Sequence, residues 1–189
     1  MTQTALDFLL TRRSHSPKTL TAPAPTRAQL EPILTAAARV PDHGMLAPWR
    51  FIVLERPALM RLAAIVRRLG AEKTLPEEVI VKGAAQFETS PLGVVVVHVP
   101  RATDKIPAIE QVLSTGAACL ALVNAALASG WGAGWVTGWV SHDADFCRQG
   151  LGLAEGEFVA GIVHIGTSTV QPADRPRPGL ATITTWVDA

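Results

Sequence analysis

Gly130-Trp131-Gly132-Ala133-Gly134-Trp135 follows the longest apolar run of the chain, and its reading separates two fold classes. A glycine-rich stretch of this kind invites comparison with the dinucleotide-binding turn GxGxxG. That turn needs a strand before it, a helix after it and glycine at its last position. Here a long helix, expected over Ile109 to Ser129, comes before, Gly130 ends it, and Trp135 stands where the last glycine belongs. The doubly wound reading therefore fails. What remains is a glycine-rich loop leading from a long helix toward a short strand, expected over Trp135 to Val140. Such a backbone can approach a flat ligand closely.

Outward from this stretch, strands and helices mix without strict alternation. Leu92 to Val99 is almost entirely valine, the pattern of a strand buried on both faces. Arg50 to Glu55 and Phe158 to Ile165 read as further strands. Ala5 to Arg13 reads as a short amphipathic helix with Leu6, Leu9 and Leu10 on one face. Thr26-Arg27-Ala28-Gln29 is a capping box that starts a helix running to Arg39, with Leu30, Ile33, Leu34 and Ala37 facing inward. Pro32 removes one helical N–H, and Pro41 ends the helix at Val40. Further helices are expected over Ala58 to Leu69, stopped by Gly70, over Pro76 to Phe87, and over Asp143 to Leu151, capped by Ser141. Ser16 to Pro25, Pro41 to Pro48 and the proline-rich tail from Pro172 are expected as loops. The pattern predicts a single domain over 1–189, a three-layer α+β fold with helices on both faces of a central sheet. No internal repeat interrupts it.

Hydrophobic residues make up 48% of the 189 residues and charged residues 17%, against a usual charged share of about 25%. That surplus predicts apolar surface covered by a subunit partner or a cofactor. Formal net charge is +1 and no basic run is present, so nucleic acid is not an expected partner. The apolar run Ala117 to Ala128 falls short of the roughly 20 residues of a membrane span, which predicts a core helix and no membrane partner. The first residues place arginines after the apolar stretch, the wrong order for a signal peptide. Cys119 and Cys147 form no CxxC pair, which fits a reducing cytoplasm.

Three segments carry candidate chemistry. Arg12-Arg13-Ser14 offers two guanidiniums and a hydroxyl as an anion clamp, although an arginine pair at a helix end also answers the helix dipole. Arg39 to Phe51 is a proline-bracketed loop running from a helix into a strand. The third is the glycine stretch. The five histidines are scattered and give no metal site, with His98 and His164 expected as core or edge residues. No nucleophile elbow, phosphate loop or paired carboxylate is present.

Taken together, Arg12-Arg13-Ser14, the segment Ala38 to Phe51, and Ser114-Thr115-Gly116-Ala117-Ala118 leading to Gly130-Trp131-Gly132 resemble the nitroreductase superfamily, in its small, single-domain, FMN-dependent branch. The resemblance implies a three-layer α-β-α fold with a mixed, mostly antiparallel sheet. It implies that Arg12, Arg13 and Ser14 hold the FMN phosphate and ribityl end, that Arg39 and His43 reach the flavin from the other subunit, and that Trp135, Val136 and Thr137 lie against the isoalloxazine ring. Arg175 and Arg177 are implied as further phosphate contacts. The implied activity is ping-pong transfer from NADH or NADPH to nitroaromatic, quinone or similar small acceptors in an intertwined homodimer, without a protein nucleophile. Two departures stand out. Val136 replaces an arginine of the branch, and Met45-Leu46-Ala47 lacks the amides of the wider family, which makes the pocket more apolar. A flavin-binding protein with little reductase activity and a non-catalytic dimeric interaction domain are the alternatives.

Overall fold

A computed structural model describes residues 4–188. In chain order its elements are α1 (Ala5–Thr11), β1 (Leu20–Thr21), α2 (Arg27–Ala37), β2 (Trp49–Leu54), α3 (Arg56–Glu72), α4 (Glu77–Thr89), β3 (Leu92–His98), α5 (Ala108–Ala128), β4 (Gly132–Val136), α6 (Trp139–His142), α7 (Ala144–Leu151), β5 (Phe158–Ser168) and α8 (Leu180–Ile183). The valine run is the centre of the molecule. Val95 and Val97 point into one hydrophobic core, Val94 and Val96 into a second, as the two-residue period of a strand requires. The first core joins α3, α4 and α7 through Leu62, Val66, Phe87 and Phe146. The second joins α2 and α5 through Ile33, Ala37, Ala118 and Leu122. The three layers and the α+β class are therefore as expected.

Strand order is β1-β5-β3-β2, with β4 also paired to β5. All four pairings are antiparallel. β5 organises the sheet. It pairs with β3 along one edge, and along the other with β4 over Ile162 to Gly166 and then β1 over Thr167 to Ser168. A bulge opposite Val96 and Val97 gives β5 one additional residue, Ala160.

Several element limits differ from expectation, each for a local reason. α1 stops at Thr11 because Arg12 is extended, at ψ 142°. α2 starts at the expected capping box and keeps Pro32 inside, but ends at Ala37. α3 runs through Gly70 rather than stopping there. A Cβ on Gly70 would lie 2.6 Å from Cγ1 of Ile80, so this glycine lets α4 pack close. The glycine loop is itself β4, and the strand expected over Trp135 to Val140 becomes its end plus the turn α6. Gly132 and Gly134 are needed there because β4 runs hard against its neighbours. A Cβ on Gly132 would lie 2.7 Å from Leu20, and one on Gly134 would collide with the carbonyl of His15. α7 is capped by Asp143, whose carboxylate accepts from the Phe146 N–H at 2.8 Å, not by Ser141. The segments expected as loops hold β1, between residues 16 and 25, and the single turn α8.

Two helices leave apolar faces outside this chain. On α1, Leu6, Leu9 and Leu10 share a face as expected, yet all three are exposed, Leu10 by 75%. α5 is long and apolar enough to cross a membrane by length and composition alone. Its inner face packs on the sheet and α2, and Ile109, Leu113 and Leu120 point outward.

Candidate functional site

The extended backbone after α1 carries Arg12, Arg13 and Ser14 beneath the segment 174–177. The Arg12 guanidinium donates to Ser14 Oγ at 2.8 Å. Arg13 pairs with Asp174 at 2.6 Å, although 161 residues separate them. Burial lowers the Arg12 pKa, and the neighbouring positive charges of Arg177 and Arg13 push it the same way. The Asp174 carboxyl lies below its ordinary range because the Arg175 N–H and then Arg13 bond to it. Arg13 and Arg177 thus lie near the Asp174 carboxylate, and Arg12 lies near those two guanidiniums. The Arg12 Nε is buried and has no partner. A buried donor without an acceptor is costly, and a phosphate dianion supplies both the missing acceptor and the missing charge. Arg175 contributes its backbone N–H to Asp174.

The next residue ties this cradle to the sheet. His15 donates its backbone N–H to the carbonyl of Ala133 in β4 at 2.8 Å, the approach that Gly134 permits. Its Nδ1 is buried without a partner, and burial lowers its pKa. Beyond it opens a cavity of about 440 Å³, bounded by Ser16, Lys18, Lys82, Gln86 and the turn Val136-Thr137-Gly138-Trp139. Gln86 donates to the carbonyl of Gly83 at 3.2 Å and faces His164 Nε2 at 3.4 Å. His164 lies wholly inside the protein, and burial pushes its pKa down to about 3, so the ring is neutral. Its position in the core, like that of His98, is as expected. Val136 and Thr137 border the cavity. Trp135 instead lays its indole over Gly161 and donates to the carbonyl of Ala160 at 3.3 Å. A second opening, about 540 Å³, lies between α2 and the start of α3 and involves none of these residues.

Arg39 and His43 border neither the cradle nor the cavity of their own chain. Arg39 follows the end of α2. His43 begins a short turn, His43–Met45, before β2, and its Nδ1 lies 2.6 Å from Glu110 Oε2 at the start of α5. Sequence reasoning missed His15, Lys18, Lys82, Gln86, Glu110 and Asp174. Asp174 carried a signal, since it is a charge beside Arg175, already singled out in the sequence. Glu110 and Gln86 gave none, because each is an ordinary polar residue in a helical pattern.

With this geometry in place, comparison with known proteins is informative. Residues 9–167 match the model of the Nitroreductase family. A Haemophilus influenzae protein named "Putative NAD(P)H nitroreductase" is 39% identical over 172 residues, covering 90% of this chain and 91% of that one. The crystal structure of a nitroreductase-like family protein from Bacillus cereus superposes with a TM-score of 0.81 at 23% identity, over 100% of this chain and 99% of that one. An FMN-dependent nitroreductase from Clostridium difficile superposes with a TM-score of 0.65 at 22% identity, over 90% and 91%. Both structures share the fold of this chain.

Proposed function

The chain belongs to the nitroreductase family, and from that membership and the arginine cradle we propose that it is an FMN-dependent oxidoreductase. In this reading it passes electrons from NADH or NADPH to nitroaromatic, quinone or similar small acceptors by a ping-pong route. It works as one FMN-binding domain over 1–189, paired in a homodimer with the site at the subunit interface. We place it in the cytoplasm, where its two free thiols, Cys119 and Cys147, stay reduced. With a net charge of +1 it takes neither nucleic acid nor a membrane surface as partner.

The observation that carries the reading is the orphaned Arg12 Nε among three guanidiniums. It fits a ligand ending in phosphate. The adjoining cavity has the size of an ordinary small-molecule site. Bound FMN supplies hydride and electron transfer at its ring. The work left to the chain is holding, covering and orienting. Arg12, Arg13, Ser14 and Arg177 fix the phosphate end. Val136 and Thr137 offer backbone and small side chains to the ring, and an apolar turn stands where the branch carries an arginine. Lys18 and Lys82 bring positive charge to the cavity. The homodimer is supported by the exposed leucines of α1 and by Trp186 and Val187, 90% and 83% exposed.

The test is the visible spectrum of the purified protein, with FMN added if needed, before and after NADH or NADPH under nitrogen. Oxidised-flavin bands that bleach are the expected result. Bands that persist point to a flavin protein with little reductase activity. Failure to take up FMN at all sinks the reading and favours a non-catalytic interaction domain.

A further inference from the structure

We infer that Glu110 is a positioning residue, holding the His43 imidazole so that this chain presents its Nε2 to the FMN site of a second copy. The inference rests on the FMN reading above. His43 Nδ1 and Glu110 Oε2 lie 2.6 Å apart, and the two side chains remain 64% and 41% exposed. Neither borders the cavity of its own chain. An exposed polar pair of this kind adds little to folding, because ordering two side chains offsets most of its attraction. Stability does not account for it.

The loop around His43 points the same way. Gly44, Met45 and Ala47 all lie in the left-handed region, at φ +76°, +53° and +46°. Two of them are not glycine, and such a backbone persists only where its surroundings impose it. The surroundings do so here. Both Asp42 carboxylate oxygens accept backbone N–H groups, from Leu46 at 3.1 Å and Ala47 at 2.7 Å. Ser114 Oγ on α5 donates to the carbonyl of Pro41 at 2.7 Å and accepts from Trp49 Nε1 at 3.1 Å. Arg101 donates to the carbonyl of Ala47. The loop is thus fastened to α5, and Glu110 is the last fastener, reaching the functional side chain itself. Where the ring is uncharged, a carboxylate accepting from Nδ1–H selects that tautomer and leaves Nε2 without a proton. Nε2 then stands as an acceptor for an O–H or N–H donor of the cofactor.

Two readouts test this on the full-length protein. The first is the ¹⁵N spectrum of the His43 ring in FMN-free protein at mildly alkaline pH, where a single Nδ1–H tautomer is expected. Glu110→Ala should give a tautomer mixture, and Glu110→Gln, whose amide oxygen can still accept, should restore the single form. The second is FMN affinity. Glu110→Ala should weaken binding roughly three- to tenfold, the scale of one hydrogen bond, Glu110→Gln should recover it, and Glu110→Ala should add nothing in a His43→Ala background. An unchanged tautomer and affinity in Glu110→Ala, or the same loss with His43 absent, overturns the inference while leaving the flavin reading standing. Wild-type protein that takes up no FMN overturns both.

Discussion

Single side chains decide what the cradle can hold. Arg12 combines a buried, unpartnered Nε with a second guanidinium nitrogen bonded to Ser14. Arg12→Ala should cost roughly 1.5–3 kcal/mol of FMN binding, about 10- to 150-fold in affinity, as read by flavin titration. An unchanged affinity would remove Arg12 from the site. His164 makes a prediction about pH. Its folded pKa, about 3, lies below the ordinary value of 6.5 because the ring is buried. As pH falls below 6.5 the unfolded chain binds a proton that the folded protein refuses. The stabilisation is thus complete above 6.5 and is lost progressively toward 3, at up to about 1.4 kcal/mol per pH unit. Urea unfolding between pH 6.5 and 4.5 should show this slope, and His164→Leu should flatten it. His15 and His98, lowered by burial, add to it with the same sign. At this scale the sequence was legible where residues are adjacent. Arg12-Arg13-Ser14 is visible as a triplet. The Arg13–Asp174 and His43–Glu110 pairs span 161 and 67 residues and leave no local trace.

Among elements, the capping box of α2 and the double-sided burial of β3 could be read in advance because both follow from short-range pattern. Elements governed by distant neighbours could not. Gly70 resembles a helix stop until Ile80 is seen against it, and the glycines of β4 resemble a loop until His15 and Leu20 are seen beside them. Ser141 and Asp143 both lie at plausible capping positions, and only geometry separates them. Asp143 bonds the Phe146 N–H, whereas Ser141 Oγ is buried with no partner. Asp143→Ala should therefore cost about 0.5–2 kcal/mol in thermal or urea unfolding. Ser141→Ala should be neutral or slightly stabilising. The reverse order would show that the helix starts earlier than described.

For the molecule as a whole, the three layers followed from strand and helix periodicity, while the route of the sheet did not. No sequence rule places β5 between β3 and the pair formed by β4 and β1. The low charged share predicts covered surface, and the leucines of α1 and α5 are exposed apolar residues that a partner could cover. If a second copy covers them, sedimentation should give a dimer, and the urea midpoint should rise with protein concentration by mass action. A monomer with a concentration-independent midpoint would remove the subunit interface from the proposal.

The meeting of Arg13 with Asp174 and of Arg12 with Arg177 carries a consequence in time. A chain emerging from the ribosome exposes Arg13 early and its partner Asp174 only 161 residues later. Until then the anion cradle is half built. In the FMN reading proposed above, cofactor capture therefore waits until residues 174–177 are made, and a nascent chain stalled before residue 174 would lack part of the means to keep a flavin.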